Sequence, residues 1–368
     1  LRLFGGAFYK SKVVLVITAI LFSLRFIISH FMTSSEVLYS FMPDGDWTQN
    51  HGFIFYKASL GEPNKLSKMK SYTSEEMPGR DMSLWQDKSG RIYGAVTNYN
   101  FTQDFETTIY TGYDVYHLTP HHVNLGIRKI AKKQGRKVQK VWAPEFFEDK
   151  NNQTVYLLSA ANDRGQTLDK NNETIFQHSL YISQMDMDDF ISKKSWKLNL
   201  KSSKNYIDPS IFYRNGVYHL LVKDEYQKKI DYYQSNDLKS WKLIKEDFLS
   251  FALRNPIDYT EGQFILQLDK TYYIYFDKYE GNTNFRKNQY VISTKDFKKF
   301  TKPVVVTDKN MTILRHGSGI LYIKKPYAII MILNSCGIIA LIFFILFVID
   351  GMVIWKKANK LNFVNSYN

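Results

Sequence analysis

Five stretches of this chain begin alike, with a polar side chain at the head of a short apolar strand, and in the first four a turn and a second strand follow. They are RDMSLWQDKSGRIYGAV with Asp81, WAPEFFEDKNNQTVYLLSA with Glu145, YIDPSIFYRNGVYHLLVKDE with Asp208, TEGQFILQLDKTYYIYFDKY with Glu261, and LRHGSGILYI with His316. The successive spacings are 64, 63, 53 and 55 residues, each the length of one four-stranded propeller blade plus a loop. A second signal keeps the beat late in three units. YISQMDMDDFISKKSW, YYQSNDLKSW and YVISTKDFKKF each run from a strand through a serine and a short acidic turn to an aromatic residue. The expectation is an all-β fold, a five-bladed β-propeller over residues 33–325. A two-sheet sandwich would have no reason to repeat a polar residue at the head of every hairpin. A propeller does, because its innermost strands converge on a central channel and bring distant residues to one mouth.

The composition agrees with strands and narrows the partners. There are 26 Tyr and 26 Phe among 368 residues, side chains that favour strands and also make sugar-stacking surfaces. The net charge is +14, but the lysines read as scattered among aspartates and asparagines, with no basic helix and no compact basic patch. That pattern suits a solvated surface drawn to an anionic cell envelope, and it argues against nucleic acid as a partner. KKQGRK at 132–137 reads as a solvated basic loop. The single cysteine, Cys336, rules out a disulfide framework or a thiolate metal site within one chain.

Two apolar segments flank the propeller. KSKVVLVITAILFSLRFIISHFM has Lys10 and Lys12 before an apolar run that Arg25 interrupts, and no small-x-small cleavage site follows. Residues 1–32 therefore read as an uncleaved signal anchor. YAIIMILNSCGIIALIFFILFVIDGMVIW is long enough to cross a bilayer, so residues 326–355 read as a transmembrane helix and 356–368 as a short tail. Lys356, Lys357 and Lys360 follow it. Together with Lys10 and Lys12 they place both termini in the cytoplasm and the propeller outside the cell membrane, against the counter-signal of Lys324 and Lys325.

Three carboxylates converging on one mouth suit glycosidic bond hydrolysis: a carboxylic acid protonates the leaving oxygen, and a carboxylate activates water or attacks the sugar. A third acid nearby can tune the first. In their order and blade spacing, Asp81 in RDM, VWAPE, Asp208 in YIDPSI with KDE, Glu261 in TEG, YFDKY and RHG resemble glycoside hydrolase family 43. They are most similar to its exo-acting α-L-arabinofuranosidase branch. The resemblance implies a five-bladed propeller acting with inversion. It also implies Asp81 as general base, Glu261 as general acid, and Asp208 as the residue that sets the pKa and orientation of the acid. Met82 and Gln263 stand where that family usually has proline.

By register Trp142 and Glu145 lie at the same mouth, Trp142 to stack on a sugar and Glu145 to bind substrate or support the site. Arg315 and His316 are further candidates for substrate contact. The resemblance puts His316 at the propeller centre, near a water-bound ion such as a structural calcium. No His/Asp set shows firm direct-ligand spacing, and no cofactor is required. The expected protein is a membrane-anchored glycoside hydrolase that removes terminal arabinofuranosyl or xylosyl residues from a polysaccharide or oligosaccharide. The competing expectation is a catalytically inactive propeller that binds glycans in envelope or exopolysaccharide assembly. A fructan-acting propeller would carry an Asn-Asp-Pro-Asn segment, which is absent.

Overall fold

The first four stretches form the inner hairpins of four antiparallel sheets, the fifth forms the innermost strand of another, and these five sheets make the propeller. The computed structural model describes residues 34–43, 52–98, 105–168, 172–253, 258–279 and 287–324, with helical positions scattered over 16–27 and 335–353. Blade I runs outward through Arg80–Gln86, Ile92–Thr97, Thr107–Gly112 and Thr119–Val123. Blade II is Val141–Asp149, Thr154–Ala161, Ser179–Asp186 and Ile191–Lys197. Blade III is Tyr206–Arg214, Val217–Asp224, Lys229–Ser235 and Lys242–Lys245. Blade IV is Tyr259–Leu268, Thr271–Tyr279, Lys287–Thr294 and Val304–Val305. Blade V closes the ring. Its innermost strand is the last one, Leu314–Lys324, and the next three, Ser34–Pro43, Ile54–Ala58 and Lys65–Ser71, come from the beginning of the chain.

The hairpins form where local chemistry asks for them. Asn215 and Gly216 join the first two strands of blade III with φ of 52° and 82°, the left-handed pair that a two-residue hairpin turn requires. The apolar residues of adjacent blades then interlock. Five separate hydrophobic clusters fill the five blade-to-blade interfaces: I–II, II–III, III–IV, IV–V and V–I. Met82 belongs to the V–I cluster and is buried. A Cβ on Gly94 would lie 2.9 Å from its sulfur, so a glycine on the neighbouring strand makes room for the methionine that replaces proline.

The innermost strands share one irregularity. In blades I to IV the pairing between first and second strands skips one residue near the head of the first: between Arg80 and Ser83, Trp142 and Glu145, Ile207 and Ser210, and Glu261 and Phe264. Each is a β-bulge. Inside it one residue takes positive φ: Asp81 at 53°, Ala143 at 46°, Asp208 at 51° and Gly262 at 55°, with His316 at 42° in blade V. This corrects the phase read from the sequence at two of the five beats. The equivalents of Asp81, Asp208 and His316 are Ala143 and Gly262, not Glu145 and Glu261. Glu261 lies one position earlier and Glu145 two positions later.

A bulge frees backbone amides from their own ladder, and the preceding blade takes them up. Ala143 N–H donates to Thr97 Oγ1 (2.7 Å), Gly262 N–H to Asp208 Oδ2 (3.2 Å), and His316 N–H to Asp277 Oδ2 (3.0 Å). One layer deeper, Phe146 N–H donates to Ser83 Oγ and Leu84 N–H to Ser318 Oγ, both at 2.9 Å. Gln263, the other replacement of a family proline, donates from Nε2 to the carbonyls of Asp208 and, at 3.1 Å, Leu221. Blade IV is thereby pinned to blade III.

The propeller, residues 35–322, is one compact unit, and the flanking segments make up another. Among the described residues no helix is long and apolar enough to cross a membrane. The segments read as spans, 1–32 and 326–355, fall mostly outside the described residues.

Ser318→Ala would leave the buried Leu84 amide without its acceptor. The expected loss is about 1–3 kcal/mol of stability, seen as a lower denaturant midpoint at unchanged slope. An unchanged midpoint would mean that the blade V to blade I stitch contributes nothing.

Candidate active site

The bulges aim side chains at the channel in three layers. The outer layer holds Arg80, Trp142, Ile207, Glu261 and Arg315, each one residue before the left-handed position. Next come Asp81, Asp208 and His316, with Ala143 and Gly262 completing the ring. Two residues further on are Ser83, Glu145, Ser210, Phe264 and Ser318, of which Glu145 reaches the floor of the channel while Phe264 packs between blades IV and V. Aspartate and histidine tolerate positive φ better than most residues, which reconciles the backbone with the chemistry. Gly262 has a spatial reason as well. A Cβ there would sit 3.1 Å from the His316 ring.

A mouth cavity of about 400 Å³ opens over the outer two layers, lined by Arg80, Asp81, Lys140, Trp142, Asp208, Lys223, Glu225, Glu261, Arg315 and His316 among others. Below it a second space of about 30 Å³, enough for a water molecule, is bounded by Asp81, Glu145, Asp208 and His316. Asp81, Asp208, Glu261, Trp142, Arg315 and His316 thus share one mouth. Glu145 does not; it lies at the floor. Trp142 is tilted over His178, with ring centres 4.8 Å apart, and Arg315 is almost wholly buried.

His316 links the two carboxylates on which hydrolysis would depend. Its Nδ1 is 3.1 Å from Asp81 Oδ1, and its Nε2 is 3.6 Å from Glu261 Oε1. Burial pushes the imidazole toward neutrality, but Asp81 first, then Glu261 and Asp208, pull it up to about 9. The ring is therefore an imidazolium at neutral pH. Burial also disfavours the Asp81 carboxylate, yet His316, Arg80 and Arg315 hold it below its usual range.

Glu261 faces a second cation that the sequence reading did not single out. Lys223 Nζ lies 2.5 Å from Glu261 Oε2 and 2.8 Å from Glu225 Oε2, and Lys228 reaches Glu225 Oε1 at 2.9 Å. Burial would raise the Glu261 pKa, but Lys223, then His316 and Arg315, drive it well below the ordinary value. In the free protein Glu261 is ionised, and two cations set its state. Asp208 is itself raised by burial. Its charge is coupled to that of Glu261, and its carboxylate accepts the Gly262 N–H one residue along.

Two further acids adjoin this layer, Asp277 opposite Glu261 and Glu145 at the floor. Burial pushes Asp277 up to about 7, His316 and Arg315 opposing and Glu261 adding to it, while it holds the His316 amide. Burial pushes Glu145 up to about 8, against hydrogen bonds from Ser83 and Ser210 and with help from Asp208. Asp277 was legible only as a letter in YFDKY. Its signal is positional, directly opposite Glu261 across the hairpin, as Lys223 is opposite Ile207.

Asp208, Glu261 and His316 offer one ligand atom each, all within 4.8 Å of one another. Calcium takes six to eight oxygen ligands. Two carboxylates, one of them held by a lysine, and one imidazole fall short of that donor set for direct coordination.

Residues 81–288, more than half of the chain, match a family described as "Probable glycosyl hydrolase domain", related to glycoside hydrolase family 43. The chain belongs to this glycosyl hydrolase family. The match ends before blade V, so it includes Asp81, Asp208 and Glu261 but not Arg315 or His316. No curated protein matches by sequence. Among solved structures, this family member is similar to the GH43_1 enzyme from Xanthomonas citri over 72% of this chain and 87% of that one, with 8% identity and a TM-score of 0.50. It is also similar to the GH43 BlXynB protein from Bacillus licheniformis over 61% of this chain, with 15% identity and a TM-score of 0.43, and spans 41% of that protein's length. A third likeness is to the α-L-arabinofuranosidase PaAbf62A from Podospora anserina, covering 64% of this chain and 69% of that one at 10% identity and a TM-score of 0.44. The fit to the Xanthomonas enzyme independently shows the propeller fold.

The paired carboxylates give His316 a pH signature. Its folded-state pKa lies above the usual 6.5, so its stabilising share is complete below about pH 6.5 and is lost as pH rises toward 9. Its NMR resonances should stay at the protonated position through pH 7 and move near pH 9. Asp81→Asn should bring that transition down, and a wild-type midpoint near 6.5 would remove the imidazolium from the site.

Proposed function

We propose that the propeller hydrolyses terminal arabinofuranosyl or xylosyl linkages of a polysaccharide with inversion, using Asp81 as general base, Glu261 as general acid and Asp208 to position the acid. The observation that carries this reading is that Asp81 and Glu261 face opposite nitrogens of one imidazole at a cavity of sugar-binding size. Inverting enzymes hold their two carboxyl groups about 6.5–9.5 Å apart so that a water fits between substrate and base. Two carboxylates with a whole ring between them suit that spacing better than the shorter one of retaining enzymes.

The free site holds Glu261 ionised, whereas an acid must begin protonated. The proton is already at hand. His316 carries it on Nε2, facing Glu261 Oε1. A sugar seated above them in the mouth takes away water and weakens the grip of Lys223, which favours the shared proton on Glu261. Trp142 offers a ring at the rim for the sugar face. The Xanthomonas enzyme was solved with xylotriose and with xylose, which keeps pentosyl sugars foremost among substrates to try. The apolar flanks at 1–32 and 326–355 would tether the propeller to the outer face of the cell membrane, close to envelope or exported polysaccharide.

The test is turnover of aryl α-L-arabinofuranoside and aryl β-D-xyloside, with the first-formed anomer followed by NMR. Wild-type protein should release the inverted anomer. Glu261→Ala and Asp81→Ala should each lower kcat by about 10²–10⁴-fold. A retained anomer would overturn the roles of the two acids. The ionised Glu261 of the free protein favours one competing reading, a glycan-binding propeller without catalysis. Sugar binding by wild-type protein with no turnover on any substrate would establish it.

A further inference from the structure

The structure corrects the reading of the lysines as scattered. Between Arg128 and Lys140 the chain reads RKIAKKQGRKVQK, seven cations and no acid in thirteen residues. The segment begins in the helix Ile127–Lys133, whose N-terminal amides at Ile127 and Arg128 donate to Glu106 of blade I at 3.2 and 2.6 Å. It is fixed again at its far end. Arg136 pairs with Asp163 at 3.1 Å, and the amides of Gln139 and Lys140 donate to Asn162 Oδ1 at 2.9 and 2.8 Å. Ile127, Ala131 and Val138 face inward and are buried, while Lys129, Lys132, Lys133 and Lys137 are exposed. A fixed ridge of positive charge therefore leads to Lys140, which lines the mouth itself.

Inside the mouth Lys140 stands in an unusual setting. Its ammonium lies over two aromatic rings, 5.3 Å from the centre of Trp142 and 4.7 Å from that of Phe176. Arg80, the residue before the proposed base, lines the same cavity. Burial and then Arg80 push the Lys140 pKa down, so the two cations act on one another across the rim. Like charges brought together at the edge of a sugar cavity stabilise an anion placed between them. Neutral arabinofuranosyl and xylosyl units offer no such charge.

We infer that the glycan taken by this site is anionic, bearing carboxylate or phosphate groups, that it follows the 128–140 ridge, and that it sets one charged group between Arg80 and Lys140 beside Trp142. The inference rests on the glycosidase reading for the place where the glycan is cut, but its test is binding and not turnover. The aromatic rings at the mouth favour a sugar chain over other polyanions, because a sugar face can stack on Trp142 while its charged group meets the cations.

Binding to the full chain in detergent would be measured by calorimetry at low and high salt. The probes are an oligogalacturonate, a poly(glycerol phosphate) oligomer carrying sugars, neutral arabinan and xylan oligomers of the same length, and a single-stranded DNA of matched charge. One charged glycan should bind about tenfold or more tightly than the neutral ones at low salt, and which of the two it is distinguishes carboxylate from phosphate. Lys140→Gln should weaken that binding by about tenfold. The preference should also shrink with salt in the wild-type protein, a readout that needs no variant to fold. Equal affinity for charged and neutral glycans would overturn the inference, as would DNA bound as tightly as the better glycan. Hydrolysis of neutral arabinan with no charge preference would sink this inference and leave the glycosidase reading standing; tight anionic binding with no hydrolysis of any glycan would do the reverse.

Discussion

A bulge at the head of an innermost strand leaves an amide that its own blade cannot satisfy, and a buried amide without a partner is costly. The ring of blades is arranged around that constraint. Thr97, Asp208 and Asp277 each accept the amide of the left-handed residue in the following blade, and Ser83 and Ser318 do the same one layer deeper. The extra residue in each bulge also redirects the chain, so that a side chain which would lie against a neighbouring blade points into the channel. The device that closes the ring is thus the one that furnishes the site. Asp208 shows both uses in one residue: its backbone makes the turn, and its carboxylate holds the next blade beside Glu261.

Five blade interfaces with no common core leave the channel free for polar groups, and the charges there are dense. Asp81, His316, Glu261, Lys223, Glu225 and Lys228 form one alternating run of acids and cations through contacts of 2.5 to 3.6 Å. Removing so many charges from water costs several kcal/mol for each ion, and their attraction only offsets that. A hydrophobic plug would fill the channel at less cost. The run makes physical sense as a site in which protons and charges are held ready, with the aromatic interfaces supplying the stability it lacks.

Much of the fold was legible because a propeller repeats. The heads Asp81, Asp208 and His316 recur at blade spacing, and the hairpin behind each of the first two carries its own turn chemistry. The two beats misread in phase fail for a common reason. Ala143 and Gly262 occupy the left-handed positions, and neither looks like a site residue. The nearest acids, Glu145 and Glu261, drew the register toward themselves by two residues and by one. Lys223 and Asp277 were quoted inside motifs but carried no role, since a charged residue ending a second strand reads as a surface residue until the neighbouring blade is in place. Ile130, Ala131 and Val138 break up the basic ridge in sequence, so that only KKQGRK stands out. Only the fold turns those three inward and leaves the lysines on one side.

The ionised state of Glu261 changes how the site would have to work. An acid held down by Lys223 and His316 cannot protonate a leaving oxygen while both contacts stand, so binding and catalysis must be coupled through them. A sugar seated in the mouth dries the cavity, and drying favours a neutral carboxylic acid beside a neutral imidazole over an ion pair. On the proposed roles the proton would then cross the short gap from Nε2 to Oε1. Asp81 would lose its imidazolium partner in the same movement, which would raise its pKa toward that of a better base. One proton transfer within a preformed cluster would arm acid and base together, and only when substrate has displaced the water that stabilised the resting charges.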